Sequence, residues 1–421
     1  MKNKTHILFF INIFISINIL AQKPTLFLGG IAHLGNGNVI KNSAISVLNG
    51  KFDIIADASL IRIDPSAFDT IYKITGKHVY PSFILPNTTL GLTEIGAVRA
   101  TRDFRETGSI NPNIRTIVAY NSDSKIIKTV RTNGVLIAQV TPRGGAISGQ
   151  SSIMQLNGEI WEDAKLKEDD GIHLNWPASY FSSGWWGNPG PIKENKDYKK
   201  KVARLDDLFK KAKAYNIISN KIDLKLESMK GLFNGNKNLY IHVNDASDIR
   251  DAIYFSQKYN IEKTVIVGGE DAIDVISLLK KYDIPVILNR VHRLPDRSGS
   301  PIDEPYTQAL ELQKEGVLFC LSYTGEMEAM GSRNLPFTAG TTIAYGQEYE
   351  DAIKSITLNT AKILGVSKSV GSIEEGKDAT FFISSGDALD MLTNNVEKAY
   401  INGVEIDLNN DQKRLFNKYK N

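Results

Sequence analysis

The sequence predicts an α/β protein, built as a (β/α)8 barrel or as an open doubly wound sheet, with a β-rich segment at each end of the chain. Three observations carry this. Short runs of β-branched, aliphatic and aromatic residues recur at Leu239–Val243, Thr264–Val267, Pro285–Leu288 and Val317–Leu321, nearly continuous in apolar character as strands buried on both faces are. Between them lie stretches with apolar residues at helical spacing. Residues 24–75 and the tail from Gly371 change to short strands punctuated by glycine turns. Strand and helix in alternation imply right-handed crossovers and a parallel sheet.

The elements follow in chain order. Lys2 and Lys4 precede an almost uncharged apolar run from Ile7 to Leu20 that ends in Leu20-Ala21-Gln22. A basic start, an apolar core of this length and a small residue at its end form the pattern of a secretory signal peptide over residues 1–21, so the mature chain is expected to be exported, periplasmic or secreted. No later stretch is long and apolar enough to span a membrane. Thr25–Leu28, Ala44–Leu48, Asp53–Ile55 and Lys73–Ile74 read as strands, and Val79–Leu85 and Val135–Val140 extend the strand series. Thr141 to Ser152, with Arg143, Gly144, Gly145 and Gly149, reads as a connection rich in backbone donors, which either nests an anion or only links two elements.

Farther along, Ser182 to Pro191, with Trp185 and Trp186 among glycines, reads as an excursion serving as a lid, a partner surface or a small satellite core. Ile249, Ala252 and Ile253 mark a helix behind the capping candidates Asp245 and Ser247. Ala272, Val275, Ile276 and Leu279 mark the next. Ala379–Ile383 and Val396–Ile401 close the chain as strands, with turns at Glu375-Gly376 and Asn402-Gly403.

Composition narrows the function. At 42% hydrophobic and 23% charged residues the chain is neither disordered nor fibrous. One cysteine, Cys320, cannot close an intrachain disulfide and lies in an apolar run, which makes it a core residue. Fifty Lys+Arg against 47 Asp+Glu leave +3, too balanced for a nucleic-acid surface. The expected ligand is a small molecule or a peptide.

Three further segments carry a resemblance. Leu358-Asn359-Thr360-Ala361-Lys362-Ile363-Leu364-Gly365 followed by Val370-Gly371-Ser372-Ile373-Glu374-Glu375-Gly376-Lys377-Asp378-Ala379 resembles the C-terminal signature of the amidohydrolase superfamily. Gly76-Lys77-His78-Val79-Tyr80-Pro81-Ser82-Phe83-Ile84-Leu85-Pro86 is similar to the lead-in to that family's first barrel strand, and Arg333-Asn334-Leu335-Pro336-Phe337 fits as well. The similarity is greatest to the imidazolonepropionase-like branch. It implies a TIM-like barrel over residues 79–365 and a composite β-sandwich from residues 22–78 and 366–421. The activity it implies is hydrolysis of C–N bonds in amides, cyclic amides or dipeptides by a metal-activated water.

The resemblance also says where metal ligands should stand. Two histidines two residues apart are expected after the first barrel strand, where this chain has Asn87-Thr88-Thr89. A neutral amide and a hydroxyl are poor zinc donors. His242 matches an expected ligand, Gly268 replaces another, Thr324 replaces the expected aspartate, and His173 falls near the position of the family's lysine. His173, His242 and His292 are therefore either a rebuilt zinc site with one open position or three histidines bonded to backbone in the barrel mouth. Glu326 and Glu328 are candidate bases or solvated loop acids. Asn87, Thr89, Arg143, Arg293 and Thr324 are candidate substrate contacts, and the loop with Arg290, Arg293 and Arg297 either binds a carboxylate or pairs with Asp296 and Asp303. Three functional readings result: a hydrolase holding one divalent metal, zinc; a metal-free pseudoenzyme acting as a binding or regulatory partner in an oligomer or in a complex with an intact amidohydrolase; or a structural carbohydrate- or peptide-binding protein.

Overall fold

The computed structural model describes residues 23–184, 188, 190–218, 222–295, 299–325 and 327–420. The N-terminal apolar run, Trp185, Trp186, Asp296, Arg297 and Glu326 lie outside the described residues. The chain opens with β1 (Thr25–His33), β2 (Val39–Leu48), β3 (Lys51–Asp57), β4 (Thr70–Lys73) and β5 (His78–Pro81). It continues through β6 (Phe83–Thr88), β7 (Val135–Val140), β8 (Ile147–Gln155) and β9 (Lys165–Asn175) to a hairpin, β10 (Tyr180–Ser182) and β11 (Ile192–Glu194). After it come β12 (Asn238–Val243), β13 (Thr264–Gly268), β14 (Val286–Leu288) and β15 (Phe319–Leu321), and then β16 (Phe381–Ser384), β17 (Val396–Ile401) and β18 (Val404–Glu405).

Both chain ends build one sheet, in the order β18-β17-β16-β5-β1-β2-β3, with β4 added on β1. The sheet curls over a core of its own. The Phe27 ring meets Phe381 and Tyr400 edge-on at 5.1 Å each, and Phe52 N–H reaches Lys377 O at 2.9 Å across the fold. The strand expected over Val79–Leu85 is two strands, because the backbone changes partners at Ser82. Ser82 N–H donates to Thr380 O in the terminal sheet, and Phe83 N–H donates to Gly134 O in the barrel, each at 3.0 Å.

The second eight-stranded sheet is a nearly closed barrel, ordered β15-β14-β13-β12-β9-β8-β7-β6. Ile84 N–H bonds Ile356 O at 2.8 Å, and the helix Leu358–Leu364 lies against both β15 and β6, filling the seam. Ile84, Ile137, Tyr240, Val265, Ile287 and Cys320 pack together in its interior, which places the lone cysteine in the core as expected. β8 departs from the all-parallel expectation and runs antiparallel to β7 and β9. The connection from Val140 to Ile147 is too short for a crossover, which needs a dozen residues or more, so the chain must turn straight back. The segment expected as a connection over 141–152 is thus a tight turn followed by a fully buried strand.

Gly134 sits where the barrel meets the terminal sheet. Its φ is 85°, and a Cβ there would stand 2.5 Å from the Phe382 ring. That ring is buried between Tyr80 and Phe83. Gly134→Ala is expected to lower stability by about 2 kcal/mol through left-handed strain and overpacking. Urea unfolding checks it, and an unchanged midpoint would mean that the two sheets part easily.

Candidate functional site

The C-terminal ends of β6, β7, β9, β12, β13 and β14 converge on one face of the barrel, and most of the expected site residues are there. Asn87 adopts φ 52° just before the end of β6, which turns both its backbone carbonyl and its side-chain oxygen the same way. Arg143, three residues beyond β7, takes both: its Nη1 donates to Asn87 Oδ1 at 3.0 Å and its Nη2 to Asn87 O at 2.9 Å. The same Nη2 pairs with Glu328 Oε1 at 3.0 Å. With Pro142 O accepting from Nη1 at 3.3 Å, four oxygens fix the guanidinium, and Thr89 is buried two residues beyond Asn87. Glu328 is thereby the counter-ion of an arginine and not a solvated loop acid.

His173 and His242 meet. The register pairs Tyr240 with His173 and His242 with Asn175 on adjacent parallel strands. This stacks His173 on Tyr240 at 4.7 Å and sets His173 Nδ1 2.8 Å from His242 Nε2. His173 Nε2 lies 2.8 Å from Ser151 Oγ, and Ser151 donates to Asp170 Oδ1 at 2.6 Å. Asp170 Oδ2 accepts from Tyr240 OH at 2.6 Å and from Gln139 Nε2 at 2.9 Å. With Asp170 ionised, the donors run one way: His242 to His173, His173 to Ser151, Ser151 to Asp170. His173 Nδ1 is then the acceptor within the pair, and His242 Nδ1 carries the pair's other lone pair. Burial pushes the Asp170 carboxyl above its usual range. Burial, the neighbouring imidazole and Arg143 hold His173 well below the usual imidazole value. Burial and Arg143 lower His242 to about 3. Both rings are neutral at physiological pH.

A belt of neutral groups covers the remaining strand ends. Gly268 has φ 101°, and a Cβ there would lie 2.2 Å from Asn244 Oδ1, so the Asn244 side chain fills the space a histidine would need. Asn289 Nδ2 donates to Asn244 Oδ1 at 3.4 Å and to Glu270 Oε1 at 2.9 Å, while Thr324 Oγ1 donates to Asn289 Oδ1 at 3.0 Å. His292 does not join the other two histidines. Its Nε2 bonds Thr341 Oγ1 at 2.6 Å, and it lines a separate cavity near Tyr349 and Asp387. Arg293 lies 3.8 Å from Glu270, and Arg290 packs on the Tyr323 ring. Among the described residues, no three His, Cys, Asp or Glu side chains are placed to hold a metal ion.

Sequence reading missed Asp170, Ser151, Gln139 and Asn244. Asp170 carried one signal: an acid leading directly into Gly171-Ile172-His173-Leu174, a run otherwise apolar except for its histidine.

Residues 238–406 match the model of the amidohydrolase family. The chain is 23% identical to the imidazolonepropionase of Flavobacterium johnsoniae, over 82% of this chain and 85% of that one. Among solved structures it is similar to an amidohydrolase from Thermotoga maritima, with a TM-score of 0.76 and 24% identity over 91% of this chain and 99% of that one. It is also similar to a Xaa-Pro dipeptidase with bound methionine, with a TM-score of 0.57 and 13% identity over 91% of this chain and all of that one.

Proposed function

The chain belongs to the amidohydrolase superfamily, and from that premise we propose that its barrel mouth binds a small molecule or peptide without a metal-activated water, as an exported binding or regulatory protein. The observation that carries this is Arg143, a cation fixed by Asn87 and Glu328 at the strand end where the resemblance puts the first two metal ligands. A guanidinium there repels a divalent ion and already neutralises Glu328. The donor set supports the same reading. His173 spends both ring nitrogens on His242 and Ser151, leaving His242 Nδ1 as the pair's one free lone pair among the described residues, where a catalytic zinc needs three protein ligands. These residues do not fit the metal.

Metal content tests the reading. Mature chain purified without chelators or a histidine tag is expected to carry under about 0.1 zinc, manganese or iron per chain by mass spectrometry, since one imidazole alone binds such ions weakly. Stoichiometric metal that His242→Ala abolishes would restore the hydrolase reading and direct screening to amides and dipeptides. Co-purification with an intact amidohydrolase would support the regulatory role. The exported state predicts a mature mass lacking residues 1–21.

A further inference from the structure

We propose that the rim of the barrel mouth between β12, β13 and the β10–β11 hairpin binds a small organic cation, an amine or a guanidine. The proposal rests on the reading that the barrel mouth is a ligand site, and adds the chemistry of the ligand. A cleft of about 720 Å³ opens here, with Asp245, Glu270, Asp271 and Glu304 on its walls and Arg293 as the single cationic side chain among the described residues lining it. Glu270 stands 3.8 Å from that arginine, which already offsets its charge. A smaller cavity of about 260 Å³ shares Asn244 and Asp245 with the cleft and continues inward to His242 and Asp248.

Acidic walls alone select nothing, but Asp248 adds a specific demand. It is 2% exposed, and its Oδ2 accepts from Ser179 N–H at 3.0 Å. Among the described residues its Oδ1 has no hydrogen-bond partner, and neither does the nearby Ser179 Oγ. A carboxylate oxygen buried without a donor is expensive to keep. A ligand N–H reaching into the cavity would supply the donor and the countercharge together. His242, neutral and lining the same cavity, brings no competing positive charge.

The outer wall suits the rest of such a ligand. Tyr180 and Phe181 on the hairpin are 54% and 50% exposed and line the cleft beside the carboxylates. Aromatic faces next to acids attract alkylammonium and guanidinium groups through the ring quadrupole. An anion would meet the buried Asp248 carboxylate, and a neutral ligand would bring no countercharge to it, so the site discriminates by charge.

Calorimetric titration of the full mature chain with agmatine, succinate and 1,4-butanediol tests the proposal. Agmatine is expected to bind, with succinate and butanediol silent at the same concentration. Asp248→Asn should weaken agmatine by at least about thirtyfold, since it removes a desolvated charge partner. Glu304→Gln, at the open rim, should weaken it by only about threefold; it remains informative if the Asp248 variant does not fold. Equal binding of the three probes, no heat with agmatine, or unchanged affinity in both variants would overturn the cation site. Failure of the metal-free reading shows separately, as stoichiometric metal in the same preparation.

Discussion

Asp170→Ala is expected to cost the fold about 4 kcal/mol, the largest loss foreseen for a single substitution in the barrel. The carboxylate is fully buried and is the common acceptor for Ser151, Tyr240 and Gln139. Removing it strands three donors on three neighbouring strands, each costing roughly 1–3 kcal/mol when buried without a partner. Some relaxation is available to Ser151, whose hydroxyl can turn to His173 Nε2 once both histidines switch tautomer. Tyr240 has less freedom, since its hydroxyl also accepts from Asn238 Nδ2 at 2.7 Å. Asp170→Asn keeps the shape but points an amide N–H₂ at the Gln139 amide, so it should lose about 1–2 kcal/mol. Urea unfolding of the three proteins at pH 7 measures this. A loss below about 1 kcal/mol for the alanine variant would mean that water replaces the carboxylate and that the network is not structural.

The same network explains what could be read from the sequence and what could not. β12 to β15 were legible because their inward residues are apolar: Tyr240, Val265, Val267, Ile287 and Cys320 form one cluster. β8, Ile-Ser-Gly-Gln-Ser-Ser-Ile-Met-Gln, was not. Its serines and glutamines are buried with partners, as Ser151 is with His173 and Asp170, so the apolar period that marks a strand is missing. The site was legible in part. His173 meets His242 and Arg143 meets Asn87, while Thr324 bonds Asn289. What they do to one another depends on strand register across 69 residues and on the left-handed backbone at Asn87, neither of which a single sequence displays. Gly268 was read as a lost ligand; only the structure shows that Asn244 has taken its space.

Acidification should expose the imidazole pair. His242 falls from 6.5 to about 3 on folding, and His173 shifts the same way. A base whose folded pKa lies below its unfolded value leaves the folded state holding fewer protons, so stability is fully present above about pH 6.5 and declines as pH falls towards 3. By linkage, His242 alone withdraws about 3 kcal/mol between pH 7 and pH 4. Asp170 opposes this. Its pKa is raised on folding, so it binds its proton more readily in the folded state, and stability rises as pH falls through the window between its unfolded and folded values. Lys167, lowered from the usual lysine range by burial, faces Asp170, and Arg143 acts on both imidazoles. The wild-type profile alone therefore mixes two signs, and the difference between wild type and His242→Gln separates them. Glutamine can keep a hydrogen bond to His173 and cannot be protonated. At pH 7 the variant should be slightly less stable than wild type, and by pH 4 it should have gained about 3 kcal/mol relative to it. Parallel urea midpoints for the two proteins across that range would place the His242 proton outside the barrel and remove the argument that the pair is held neutral by burial and Arg143.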